Sequence, residues 1–281
     1  MNCKTSRLSE SLAAKEARLH EIISGFQRVA VAFSGGVDSS YLLSACIDVL
    51  GSERVIALTA DSPLLPRAEL ATAQQVAQLL GAQHRIVLSD DLGIPEVAGN
   101  VERRCYYCKR ARFVALISLV GEASGTQFLH GENSDDAHDY RPGSLAAHEL
   151  GVRAPLAEAG LTKAEIRELS KRRGLTTWDH HPAACLATRF PTNTSLTREG
   201  LERVEQAEER LRQATGLRLV RVRDHYPIAR IEAGAEEVAH LASPEVRAAV
   251  SEQLHALGYR YVTLDLDGYR MGSLNVTSTT P

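Results

Sequence analysis

Ser34-Gly35-Gly36-Val37-Asp38-Ser39-Ser40 is the segment of this chain whose residue types and spacing most clearly could do chemistry. It follows the apolar run Arg28-Val-Ala-Val-Ala-Phe33 and opens a stretch of helical periodicity. Two glycines allow a tight turn in which backbone N–H groups approach an anion. Ser34, Ser39 and Ser40 add hydroxyl donors, and the N-terminus of the following helix adds partial positive charge. The segment lacks the Gly-Lys-Ser/Thr element of a Walker loop and is not the G-x-G-x-x-G dinucleotide fingerprint. An ordinary Ser-capped turn could also contain Ser-Gly-Gly. The full string, set after an apolar strand in the first βα unit, is what favours a phosphate loop.

The cysteines are the second set. There are five: Cys3, Cys46, Cys105, Cys108 and Cys185. An odd number argues against a disulfide framework. Cys105-Tyr-Tyr-Cys108 can be read as half a zinc site, a redox pair or two iron–sulfur ligands, and no second C-x-x-C completes a zinc ribbon. Cys185 stands in the irregular segment His181-Pro-Ala-Ala-Cys-Leu-Ala-Thr-Arg-Phe-Pro191. The neighbouring His180 and His181 could move a proton or simply be solvated. Cys46 falls on an apolar helix face and reads as a core thiol, and Cys3 lies in the terminus.

These residues need a scaffold, and the apolar pattern supplies one. Strands are expected at 28–33, 55–59, 85–88 and 127–130, with helices at 8–23, 38–50, 67–80, 106–120 and 162–173. Thr162-Lys-Ala-Glu165 is a capping box opening the last of these. Strands alternating with helices imply an α/β fold with a parallel, doubly wound sheet. Ligands bind such sheets at the carboxyl ends of the strands, where Thr59, Asp61 and Ser62 follow the second strand. Asn133 and Asp136 follow another strand end, where a nucleotide contact and a capping role are both open.

After residue 190 the grammar changes to a helix at 197–214, strands at 217–224 and 228–233, a helix at 244–256 and a strand at 260–266. This reads as a smaller α+β domain with an antiparallel sheet covered on one face. The expected division is 1–185 and 186–281. A period of two puts Arg221 and Arg223 on the face opposite Val220 and Val222. That polar face is either solvated or a clamp for phosphate or carboxylate.

The chain has 281 residues, enough at ~150 per domain for two domains. Its formal net charge is −3, which gives a nucleic-acid partner little support. No run approaches the ~20 apolar residues of a membrane span, and the N-terminus has no apolar signal core, so a cytoplasmic protein is expected.

The loop resembles the PP-loop of ATP pyrophosphatases, the group that includes GMP synthetase, NAD synthetase and tRNA thiolases. The resemblance implies that it holds the leaving pyrophosphate of ATP, that Asp38 helps hold Mg²⁺ or orders the loop, and that Thr59-Ala-Asp61-Ser62 matches the adenine and ribose segment. A narrower resemblance covers nearly the whole chain. Phe33-Ser-Gly-Gly-Val-Asp-Ser39, Arg104-Cys-Tyr-Tyr-Cys-Lys109, Gly131-Glu-Asn-Ser-Asp-Asp136, Asp139-Tyr-Arg-Pro-Gly143, Ala154-Pro-Leu156, Gly160-Leu-Thr-Lys-Ala-Glu-Ile-Arg167, Cys185-Leu-Ala-Thr-Arg189 and Tyr261-Val-Thr-Leu-Asp-Leu266 are similar, in order, to the LarE family.

That family makes a thiocarboxylate on a pyridinium mononucleotide for the nickel-pincer cofactor. The resemblance implies adenylation of a carboxylate by ATP. Sulfur would then come from Cys185 itself, leaving dehydroalanine, or from sulfide on a [4Fe–4S] cluster held by Cys105, Cys108 and Cys185. It also implies that Arg221, Arg223 and Glu209 lie near the sulfur donor, and that the protein is a homo-oligomer. The rivals are another PP-loop enzyme, such as a tRNA thiolase or an amide-forming synthetase, and a non-catalytic nucleotide-binding module.

Overall fold

The computed structural model describes residues 3–120, 125–136, 142–180 and 184–269. Residues 139–141, His181 and Pro182 lie outside these ranges, as does the side chain of Cys3. In chain order the elements are α1 (Cys3–Ser24), β1 (Arg28–Ala32), α2 (Val37–Leu50), β2 (Val55–Asp61), α3 (Arg67–Leu79), β3 (Gln83–Leu88), α4 (Pro95–Ala98), α5 (Arg104–Val120), β4 (Thr126–His130), α6 (Pro142–Glu149), α7 (Pro155–Glu158), α8 (Lys163–Arg172), α9 (Arg198–Thr215), β5 (Val220–His225), β6 (Ile228–Ala233), α10 (Val238–Leu241), α11 (Pro244–His255) and β7 (Tyr261–Leu264).

The chain divides into two units, residues 1–90 with 105–183 and residues 91–104 with 184–281. In the first, four parallel strands lie in the order β3-β2-β1-β4. Strand β1 is central, and its neighbours cover it on both faces. Val29 and Val31 join a core with Leu42 of α2, Ala73 of α3 and Ile166 of α8. Ala30 joins a second core with Phe113 and Leu116 of α5. A strand buried on both faces must be apolar throughout, which is why β1 shows no alternation. The expected doubly wound sheet is therefore present. Ala32 pairs with Leu58 on one side and His130 on the other, so the carboxyl ends of β1, β2 and β4 come into register.

In the second unit β5 pairs antiparallel with β6, but β6 pairs parallel with β7. This corrects the expectation of an antiparallel sheet. A tight hairpin joins β5 to β6, whereas β6 reaches β7 through α10 and α11, and a helical crossover returns a strand in the same direction. The apolar face carries Val220, Val222, Ala229 and Ile231 against Ala207 and Leu211 of α9 and Leu254 of α11. The solvated reading of the other face is also corrected, because Arg221 and Arg223 are 7% and 5% exposed.

The segment 91–104 belongs to this second unit through non-local bonds that no sequence periodicity announces. Asn100 Nδ2 donates to the Pro191 carbonyl (2.8 Å), and the Leu196 N–H donates to the Ala98 carbonyl (2.7 Å). Among the described residues no helix is long and apolar enough to cross a membrane.

Candidate active site

In the first unit, the turn between β1 and α2 is shaped by two close backbone approaches. Gly35 has φ +74°, and a Cβ there would lie 2.7 Å from Ala73 Cα of α3. A side chain at Gly131, just past β4, would lie 2.9 Å from the Ser39 nitrogen. Only glycine fits either place. Within the loop, the Ser39 hydroxyl donates to the Gly36 carbonyl (3.2 Å) and accepts from the Ser34 N–H (3.3 Å). The Gly36 N–H donates to Ser34 Oγ (3.3 Å). Gly36 caps α2 without a side-chain partner, and the Ser40 hydroxyl is buried with no hydrogen-bond partner.

Asp38 lies in the first turn of α2. Its Oδ2 accepts from Lys163 Nζ (2.6 Å) and is approached by Asn133 Nδ2 (3.5 Å). Its Oδ1 is buried with no partner. Burial raises the carboxyl pKa above its usual range despite Lys163, with Asp136 adding repulsion. A carboxylate with one oxygen held and the other buried and unmatched suits a hard cation, so the Mg²⁺ implied by the PP-loop fits here. Asn133 is itself fixed, its Oδ1 accepting from the N–H groups of Asp135 and Asp136 (3.0 and 3.3 Å).

The residues at the end of β2 are less available than their position suggests. The Thr59 hydroxyl donates to the Phe33 carbonyl (2.6 Å) and meets His84 Nε2 (2.8 Å), tying β2 to the loop. Arg67 bonds Asp61 Oδ1 (2.6 Å), and Arg112 donates to Ser62 Oγ (2.9 Å). His130, the last residue of β4, is held neutral by burial and by nearby Lys109, its pKa pushed down to about 3. His180 Nε2 lies 3.1 Å from Glu69 Oε1, which raises its pKa.

Cys105 and Cys108 sit one turn apart at the start of α5, the first exposed and the second half-buried. Among the described residues no group of three or more His, Cys, Asp or Glu side chains is arranged to hold a metal ion. Cys105 and Cys108 belong to the first unit and Cys185 to the second.

In the second unit, half-buried Cys185 precedes a single 3₁₀ turn, Leu186–Arg189. Arg189 is 1% exposed and forks onto Glu208 of α9, with Nε to Oε1 2.8 Å and Nη2 to Oε2 2.9 Å. Arg221 Nη1 stands 3.9 Å from Glu208 Oε2, and burial lowers its pKa. Arg223 is bound through Nε to Glu232 Oε2 (2.9 Å) and through Nη1 to the Thr188 carbonyl (2.7 Å). The structure thus gathers Cys185, Arg189, Arg221, Arg223, Glu208 and Glu232 into one unit. Glu209 is different. It is 52% exposed, bound to Arg212 and Gln213, and it is Glu208 that meets the arginines.

Sequence reasoning passed over Lys163, Arg189, Glu208 and Gly131. For Glu208 a signal existed, since it shares the phase of Leu201, Val204 and Leu211, the buried stripe of α9.

The NAD synthase family matches residues 13–92, which span the loop and Asp38. An uncharacterized protein of Synechocystis sp. is 39% identical over 264 residues, 94% of this chain and 98% of that protein. Pyridinium-3,5-bisthiocarboxylic acid mononucleotide synthase of Lactiplantibacillus plantarum is 38% identical over 269 residues, 96% of each chain. An NH(3)-dependent NAD(+) synthetase of Methanoregula boonei is 35% identical over 66 residues, 24% of this chain and 27% of that protein. The likeness over the loop is thus to the NAD synthase family, while likeness from end to end is to the synthase, and on that ground the chain belongs to the LarE family of ATP-using, PP-loop sulfur transferases.

Proposed function

We propose that this protein adenylates a carboxylate of pyridinium-3,5-biscarboxylate mononucleotide and converts it to a thiocarboxylate, with Cys185 as the source of sulfur. The observation that carries the reading is the match to the Lactiplantibacillus synthase over 96% of both chains. The turn at Ser34, with its unmatched Asp38 Oδ1 and Ser40 hydroxyl, supports the nucleotide half of the reaction.

The substrate carboxylate attacks the α-phosphorus of ATP, and pyrophosphate leaves toward the N–H and hydroxyl donors of residues 34–40. Mg²⁺, when bound, neutralises phosphate charge, and Asp38 is the residue that would hold it. The Cys185 thiolate then attacks the acyl-adenylate carbonyl and AMP departs, giving a thioester. Loss of the Cys185 Cα proton and cleavage of its Cβ–S bond leave dehydroalanine on the protein and the thiocarboxylate on the product. We place this chemistry in the cytoplasm and in a homo-oligomer.

The test is the intact mass of the protein before and after a single turnover with ATP and substrate. Loss of one H₂S mapped to residue 185, absent in Cys185→Ala, is expected. The paired thiols of Cys105 and Cys108 favour one rival, in which cluster-bound sulfide is the donor. Iron and labile sulfide in anaerobically purified protein, with no change of mass on turnover, would establish that rival instead.

A further inference from the structure

The carbonyl oxygen of Cys185 accepts three hydrogen bonds. The Thr188 N–H donates at 2.9 Å, the Thr188 hydroxyl at 2.8 Å, and Arg189 Nη1 at 3.2 Å. The first belongs to any tight helical turn. The second is a bond that threonine often makes in such a turn, but the third is not, and the two are built together, since Arg189 Nη1 also donates to Thr188 Oγ1 (3.0 Å) and to the Ala184 carbonyl (2.6 Å). The guanidinium is buried and locked on its far side by the two bonds to Glu208. Its placement is therefore fixed before any reaction occurs. A buried guanidinium whose remaining nitrogen is aimed at the backbone carbonyls of Ala184 and Cys185, beside the residue that carries sulfur, is more than a surface turn requires.

The geometry points to Thr188 and Arg189 as catalytic residues that stabilise an enolate on the Cys185 carbonyl during carbon–sulfur cleavage. This rests on the reading above that Cys185 gives up its sulfur. Breaking the Cβ–S bond by elimination first requires removal of the Cα proton, which passes to a solvent base. The electron pair of the Cα–H bond moves onto the carbonyl oxygen of residue 185, the atom that these donors already hold. When the enolate collapses, the pair forms the Cα=Cβ bond, and the Cβ–S pair leaves with sulfur as the thiocarboxylate. No oxidant or reductant is consumed. A peptide Cα–H is a very weak acid, and preorganised donors on the oxygen where charge develops are an effective way to lower that barrier.

The inference can be tested apart from the reading it rests on. Dinitrophenylation of the cysteine thiols turns each sulfur into a leaving group without ATP or substrate. Elimination is then followed at mildly alkaline pH by release of dinitrothiophenolate, and dehydroalanine is mapped by peptide mass. Position 185 should eliminate roughly 10²-fold faster than positions 105 and 108. Thr188→Val should remove most of that advantage, and Thr188→Ser, which keeps the hydroxyl, should restore it. Thermal melts of both variants check that the fold is retained, and Thr188→Ala serves as a second deletion of the hydroxyl. Equal elimination at the three positions, or an advantage at 185 that survives in both Thr188→Val and Thr188→Ala, would overturn the assignment. A wild-type protein that keeps its sulfur on turnover, yet shows the advantage at position 185 in this assay, would sink the donor reading alone.

Discussion

Two charged regions of this protein handle the same problem in opposite ways. In the loop end of the first unit, Asp38 is half-buried, with one oxygen bound and the other buried and unmatched, and the Ser40 hydroxyl beside it is unmatched too. In the second unit, Arg189 and Arg223 are buried more deeply, and each is closed against a carboxylate, Glu208 or Glu232. A buried polar atom without a partner costs roughly 1–3 kcal/mol, so a fold keeps one where something else will bind. A buried, fully bonded pair instead fixes geometry. The first region is arranged to receive a ligand, and the second to hold a cysteine and its neighbours still.

The sharpest way to break that contrast is Glu208→Gln. Removing one partner of a buried pair strands Arg189, so unfolding by urea should show a loss of about 3–5 kcal/mol. Asp38→Asn should do the reverse. Burial raises the folded pKa of Asp38, so its ionisation at neutral pH opposes folding, and the amide should leave stability unchanged or higher. Pyrophosphate release from ATP should nevertheless fall by about 10²-fold or more, because the residue proposed to hold Mg²⁺ is lost. If stability and activity fell together, the loop would be structural after all.

Gly35→Ala probes the loop backbone. A Cβ at positive φ against Ala73 Cα should cost about 1–3 kcal/mol, read as a lowered melting temperature.

His130 provides a pH signature for the same end of the sheet. Unfolded, it takes a proton near pH 6.5; folded, it stays neutral down to about 3. The unfolded state therefore binds the extra proton between those values. Stability should be complete above pH 6.5 and fall by about 1.4 kcal/mol per pH unit below it. His130→Gln should flatten that part of the curve. The smallest effect belongs to Glu209→Gln, which at an exposed site should stay within about 0.5 kcal/mol. A large loss there would reverse the roles assigned to the two adjacent glutamates.

Much of this contrast was legible in the sequence, but unevenly. The apolar run before Ser34 and the alternation of strands and helices sufficed for the parallel sheet and for the position of the phosphate loop. Those features are local, and period and turn chemistry encode them. Helix α6 was not anticipated. Lys163 was visible as the residue after a capping threonine and within a segment that carries the resemblance, and nothing local says that α8 brings its ammonium to Asp38. For the arginine face the strand period leaves a solvated surface and an anion clamp both open, because it gives direction but not what covers it. Glu208 and Glu209 differ by one residue and therefore by about 100° around a helix, so the burial phase of α9 decides which of them faces the core and not which of them acts. The direction of β7 followed from a crossover whose return no pattern of residues specifies.

The bonds from Asn100 and Ala98 to Pro191 and Leu196 have a consequence for how the chain is made. Synthesis delivers residues 91–104 well before the segment they join, so they emerge from the ribosome with their partners still untranslated. Domains generally fold as units in the order in which they appear. Here the first unit can close around its sheet while a short stretch of the second waits beside it. A gene cut between residues 185 and 186 would make that wait permanent, leaving each fragment with half of a seam. Separate production of a working C-terminal piece should instead carry residues 91–104 with it, grafted onto the residues from 184 onward.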